Sequence, residues 1–110
     1  MIDARELDRR LTLYRRDATD DGFSSSPGAP VEIGTVWAKK VDVSNTEMLA
    51  AAAVGQVITT RFLVRWTSQM TQLRPDDQAV CEGTRYEIVG WREARGRRVG
   101  IEITAKAIRS

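Results

Sequence analysis

The apolar positions of this chain mostly alternate with polar ones; they seldom recur at helical spacing. From Val57 to Trp66 (VITTRFLVRW), Ile58, Thr60, Phe62, Val64 and Trp66 fall on one face and Val57, Thr59, Arg61, Leu63 and Arg65 on the other. That period of two marks a strand, and the first face is the better core face. Val99, Ile101, Ile103, Ala105 and Ala107 alternate with Gly100, Glu102, Thr104 and Lys106, a last strand with one buried and one wet side. Leu11-Thr12-Leu13-Tyr14 opens the sheet with a strand over about Arg9 to Arg16. Gln78 to Glu82 and Arg85 to Trp91 read as two strands around Gly83-Thr84, a tight turn led by glycine. Arg74-Pro75-Asp76-Asp77 and the stretch Glu93 to Arg98, centred on Gly96, are further turns.

Two regions interrupt the alternation. In the second strand, Thr35 to Ser44, the apolar residues are Val36, Ala38, Val41 and Val43, so one step is three residues long. An extra residue of this kind is what a β-bulge inserts, and the strand is expected to bend there. Between the first two strands lies DATDDGFSSSPGAP, Asp17 to Pro30, dense in turn-forming residues, with Phe23 as its one large apolar side chain. It is too long for a tight hairpin turn, and loops of such length are commonly functional or disordered.

After the second strand, Ser44-Asn45-Thr46-Glu47 fits a capping box. Met48-Leu49-Ala50-Ala51-Ala52-Ala53 are strong helix formers, and Gly55 suits a left-handed stop. A helix this short is marginal alone and needs a surface to lie on. Either it plugs one end of the sheet through Met48 and Leu49, or it awaits a neighbouring subunit. The expected fold is all-β: one domain over residues 1–110, a small antiparallel barrel or sandwich of about six strands with a long loop and a short helix.

A chain of 110 residues makes about one domain with one modest core. Its 42% apolar and 29% charged residues are ordinary for a globular protein. The net charge of +2 is unevenly placed: residues 17–32 carry four acids and no base, which leaves the rest of the chain at +6. A basic body with an acidic arm suits DNA or an acidic partner, although charge on this scale is commonly a solvated surface. Cys81 is the only cysteine, so no disulfide forms within the chain, and its surroundings read as a strand core. The charged opening MIDARELDRR lacks the apolar stretch of a signal peptide, and no run is long enough to cross a membrane as a helix. A reducing, cytoplasmic setting is expected.

Catalytic and metal-binding chemistry finds little material here. The chain has no histidine and one cysteine, and no phosphate loop, nucleophile elbow or metalloprotease helix. Asp20-Asp21 and Asp76-Asp77 are adjacent carboxylates in turns, whose side chains diverge. No catalytic residue, cofactor or metal is expected. Arg61, Arg65, Trp66, Arg85, Tyr86 and Trp91 would suit an OB-like nucleic-acid surface, but Trp66 shares a face with Ile58 and Phe62, and Tyr86 with Ile88. Aromatics at strand spacing are more often core.

The order of the segments resembles the phage head–tail joining family, the head-closure or stopper proteins of tailed phages. Leu7-Asp8-Arg9-Arg10-Leu11-Thr12-Leu13 is similar to the family's opening, and Asp20-Asp21-Gly22-Phe23 to its Asp/Gly-rich loop. Thr35-Val36-Trp37-Ala38-Lys39-Lys40-Val41 resembles its second strand, followed by Glu47 and Ala50 to Ala53. Thr60-Arg61-Phe62-Leu63-Val64-Arg65-Trp66 and Gly83-Thr84-Arg85-Tyr86-Glu87-Ile88-Val89 resemble the next strand and hairpin. Thr60 stands where the family often has His, Trp66 where it has Tyr, and the segment after Ser44 is unusually rich in alanine.

The resemblance implies a virion protein of the neck, made in the host cytoplasm. It implies a ring, dodecameric in the particle, under the portal and adaptor proteins, which closes the DNA-filled head and carries the tail-completion or tail-terminator protein. Asp20, Asp21, Gly22 and Phe23 would form a partner-docking loop. Glu47, Met48, Leu49, Ala50, Ala51, Ala52 and Ala53, within the segment 44–56, would face the channel or a neighbouring subunit. Lys39, Lys40, Arg61 and Arg65 would face another subunit or the double-stranded DNA in the channel. Another neck or tail-completion protein, or a free OB-like nucleic-acid module, is the alternative.

Overall fold

A computed structural model describes residues 2–16, 18–20, 25–27 and 30–108, with backbone only for 18–20 and 25–27. Its strands are β1 (Arg9–Arg15), β2 (Ala18–Asp20), β3 (Ser25–Pro27), β4 (Val31–Asp42), β5 (Thr60–Arg65), β6 (Gln78–Cys81), β7 (Thr84–Ala94) and β8 (Gly100–Ala107). The helix α1 (Asn45–Ala53) follows β4, and single 3-10 turns lie at Ala4–Glu6 and Met70–Gln72. Six strands close into an antiparallel barrel in the order β1-β4-β5-β8-β7-β6, with β6 returning to β1. Closure leaves no strand edge of the barrel open to pairing.

The alternation seen in the sequence sets which side chains enter the barrel. Phe62, Val64, Ile101, Ile103, Ala105, Leu11 and Leu13 are fully buried, joined by Met70, Leu73, Ala79, Cys81, Tyr86 and Ile88. Phe62 and Tyr86 meet edge to face with ring centroids 5.0 Å apart, a favoured aromatic geometry. Burial raises the pKa of Cys81, as befits a thiol acting as a small apolar filler. Outside the barrel, Ile2 and Leu7 pack on Leu63 and hold the N-terminal segment against β5. Gly100 permits this approach, since a Cβ there would stand 2.7 Å from Ile2 Cδ1 and 3.2 Å from the Val64 carbonyl oxygen.

At the end of the barrel where β1 and β6 meet the 70–77 connection, Asp77 is buried and accepts two hydrogen bonds from Arg15, Nε at 3.0 Å and Nη2 at 2.8 Å. The same carboxylate accepts the Arg74 backbone N–H at 2.9 Å, which closes the turn expected at Arg74 to Asp77. A bidentate, partly buried pair of this kind is geometrically specific.

Several expectations need correction. The bulge does not fall between Ala38 and Val41: β4 pairs with β5 in unbroken register from Ala38–Val64 to Asp42–Thr60. Lys40 instead takes the inward position beyond Ala38, opposite the buried Phe62 of β5. Tyr86 raises the Lys40 pKa above the ordinary lysine value, against the effect of burial. Val41 points outward and is exposed. The strand is bulged further back, at Ile33, which is left over between the Leu13–Gly34 and Tyr14–Glu32 pairs. A second bulge sits at Val89, between Ile88–Ala105 and Gly90–Thr104. The hairpin turn is Glu82-Gly83, both at positive φ as a type I′ turn requires, with Cys81 opposite Thr84. The long connection is not loop throughout: β2 and β3 pair with each other, Ala18 with Pro27 and Asp20 with Ser25.

Candidate functional site

The segment from Ser44 to Val57 is built locally and packs on little. Ser44 caps the helix, its Oγ accepting the Glu47 backbone N–H at 3.2 Å. Only this half of the capping box forms. The Glu47 carboxylate turns away to accept from Arg61 Nη1 on β5. Arg61 also faces Glu102 on β8, which accepts from Arg92 Nε on β7 at 2.9 Å. A ladder of alternating charge thus crosses the outer wall and fastens the helix N-terminus to it.

At the other end the helix stops as its glycine suggested. Gly55 sits at φ +81°, its N–H donates to the Ala52 carbonyl at 3.0 Å and that of Gln56 to Ala51 at 2.9 Å, the two bonds of a Schellman motif. Between these fixed ends no residue of α1 is buried. Leu49 is 72% exposed, Val54 76% and Val57 63%, while Met48 and Ala51 are half-buried. The helix therefore does not plug the barrel. Val43 and Ile58, which flank the segment, are themselves buried at the root. From Met48 to Thr60 the chain carries no charge.

The four basic residues singled out in the sequence do not gather into one patch. Lys40 takes the inward position opposite Phe62, Lys39 Nζ donates to Glu6 at 3.3 Å, and Arg61 belongs to the charge ladder. Arg65 alone of the four is exposed with no ion pair among the described residues. Of the proposed docking loop, Asp20 ends β2, whereas Asp21, Gly22 and Phe23 lie outside the described residues. The aromatic platform dissolves: Tyr86 is core, Trp66 and Trp91 pack against the core, and Trp91 Nε1 donates to the Leu73 carbonyl at 3.1 Å.

One surface feature was missed by sequence reasoning. Trp37 is 53% exposed on the outer wall, with the Arg10 guanidinium 4.8 Å from its ring centroid. Its partner in register is Arg10 itself. An apolar groove of about 220 Å³ beside it is lined by Leu7, Val36, Trp37, Arg65 and Thr67. The signal was available, because Val36 and Ala38 flank Trp37 and strand alternation sends it to the opposite face.

The N-terminal strap has its own electrostatics. Glu6 accepts from Arg95 Nη2 at 2.9 Å and from Lys39, and the Asp3 backbone N–H reaches it at 3.2 Å. Chiefly through the Arg95 hydrogen bonds, its pKa is pulled from the ordinary 4.5 down to about 2.

Among the described residues no three His, Cys, Asp or Glu side chains are placed to hold a metal ion, and no helix is long and apolar enough to cross a membrane. The closed barrel thus carries a helix that is uncharged beyond Glu47 and buries none of its residues, together with an exposed tryptophan beside an apolar groove. The model of the phage head completion protein family matches residues 2–108, and the chain belongs to that family of structural virion proteins. The resemblance read from the sequence is thereby borne out. No curated protein matches. Among solved structures, the solution structure of protein SF1141 from Shigella flexneri 2a is similar with a TM-score of 0.72 at 19% identity, covering 96% of each chain. At that identity the likeness bears on the fold alone.

Proposed function

We propose that the protein assembles as a ring beneath the portal and adaptor of the phage head, closes the DNA-filled head there and offers the platform on which the tail attaches. Its membership of the phage head completion family over residues 2–108 supports the closing role most directly. The ring and the position of α1 within it are supported by the state of the segment 44–57: it is capped at both ends, has no buried residue in its helix and is uncharged from Met48 to Thr60. Where many copies of one loop converge on an axis, like charges would repel and large polar side chains would crowd. Small apolar ones tolerate convergence and bury apolar area when they meet.

In this arrangement Glu47 to Ala53 face the channel or the next subunit, and DNA meets the ring in the assembled channel. The acidic segment around Asp20 docks on a more basic neighbour in the neck. Deleting Asp20 to Ser26 is expected to weaken attachment in the neck and spare folding, measured by the yield of tailed particles and by circular dichroism; unchanged particle yield contradicts that role.

Co-sedimentation of the purified protein with DNA-filled, tail-less heads tests the proposal. Stable binding at moderate salt is expected. Failure to bind heads, with salt-sensitive binding to free DNA instead, would favour a nucleic-acid module on the same barrel.

A further inference from the structure

The groove beside Trp37 needs an occupant with an apolar side chain and negative charge. It is lined by Leu7, Val36, Thr67 and the half-exposed indole at about 220 Å³, and a second hollow of about 270 Å³ shares Leu7, Trp37 and Arg65 with it. Together they form a shallow run along the wall with room for a few side chains of a peptide segment. Two arginines border it: Arg10 lies over the indole and Arg65 lines the groove. Neither forms an ion pair with a carboxylate among the described residues, whereas Arg9, Arg15, Arg61, Arg92 and Arg95 all do.

The chain itself contains a segment of the complementary chemistry. Residues 17–30 hold Asp17, Asp20 and Asp21, no base, and Phe23 as the one large apolar residue. We infer that the segment 17–30 of one subunit docks in the Trp37 groove of a second copy, with Phe23 against Trp37 and the aspartates toward Arg10 and Arg65. This rests on the ring proposed above and takes the more basic neighbour of the acidic segment to be a second copy of this chain, so that the contact links the subunits of the ring.

Strand register argues for a second copy over the same chain. The segment leaves the barrel beyond the Arg15–Val31 pair, while the groove lies at the Arg10–Trp37 pair. Five residues of strand separate them, about 17 Å at 3.3–3.4 Å per residue. The segment starts out as the separate β2–β3 ribbon, which pairs with no barrel strand. To reach its own groove it would have to double back along the wall; a neighbouring subunit needs no such reversal. Such a contact is weak between free subunits and gains strength in a closed ring, where each arm is held at high effective concentration.

A synthetic peptide of residues 17–30 carrying a fluorophore and titrated with the full-length protein, read by fluorescence polarisation, tests the inference. Saturable binding is expected in the millimolar range or tighter. It should weaken on adding salt, fall at least tenfold in Arg65→Glu and disappear in Trp37→Ala. Both side chains are exposed, so both variants are expected to fold, and circular dichroism verifies it. A control peptide with Phe23 replaced by Ala and both Asp20 and Asp21 by Asn should not bind. No binding of the native peptide, or binding that survives both groove variants, overturns the inference. The ring is judged separately by head co-sedimentation of the unaltered protein. A protein that binds heads but not the peptide would sink the arm contact alone, and one that binds the peptide but never heads would sink the ring alone.

Discussion

Phe62 and Leu49 are both large apolar side chains, yet Phe62 is wholly buried and Leu49 is 72% exposed. The contrast extends to the regions they belong to. Each barrel strand is held by two neighbours and by a side-chain face sealed in the core. The segment 44–57 is held only at its ends, by the Ser44 cap and Glu47–Arg61 at one and the Gly55 motif at the other. A short helix without a packed face is costly to keep ordered, and evolution of a stable monomer would bury or charge it. The difference teaches that the barrel packs its core without the segment 44–57, which leaves that segment free for the assembly role proposed above. Substitutions in the two regions should therefore be separable by experiment.

The largest expected effect is Phe62→Ala, which empties the centre of the barrel and removes the edge-to-face contact with Tyr86. About 3–5 kcal/mol of stability should be lost, measured by denaturant unfolding. A loss no greater than that of a surface change would break the comparison at its stable end. Next comes Asp77→Ala. It takes the buried Asp77 carboxylate away from the Arg15 guanidinium and from the Arg74 N–H. About 3 kcal/mol is expected, since removing one partner of a buried pair costs more than the pair contributes.

Acidification probes the strap between these extremes. The Glu6 value near 2 lies below the ordinary 4.5, so its ion pairs hold fully above about pH 4.5 and release as pH falls toward 2. Over that window the N-terminal segment should loosen from β5 before the barrel unfolds, seen as lower amide protection factors near Ile2 to Leu7 relative to intrinsic exchange at each pH; Glu6→Gln should abolish this pH step. At the small end, Leu49→Ser and Val54→Ser should change stability by no more than about 0.5 kcal/mol. A loss of several kcal/mol from either would mean that α1 is packed as part of the fold after all.

Much of the fold was legible in the sequence because the alternating strands carry it. β5 and β8 bury the residues that their period of two assigns inward, and the glycine stop of α1 follows from local chemistry. What was not legible depends on partners far along the chain. Lys40 breaks the apolar pattern of β4, which mimicked a bulge, since its inward position is set by the unbroken pairing with Phe62 on β5, 22 residues away. Glu47 fits a capping box, but Arg61 on β5 competes for its carboxylate and wins it. The ribbon β2–β3 is made of Ser, Asp, Thr, Ala and Pro, whose propensities favour turns, so nothing in its composition announces a strand. Of the candidate site, α1 was found from its cap signals. The Trp37 groove was not, because its wall is assembled from the N-terminal segment, β4 and the end of β5.

The central claim is that the unpacked helix serves closure and not folding. Heads filled with DNA and completed in vitro with a protein lacking Ala50 to Ala53 test it directly, with nuclease sensitivity of the packaged DNA as the readout. The account predicts a folded protein that still binds heads but leaves their DNA open to loss and digestion. Heads that retain their DNA as well as those completed with the unaltered protein would contradict it.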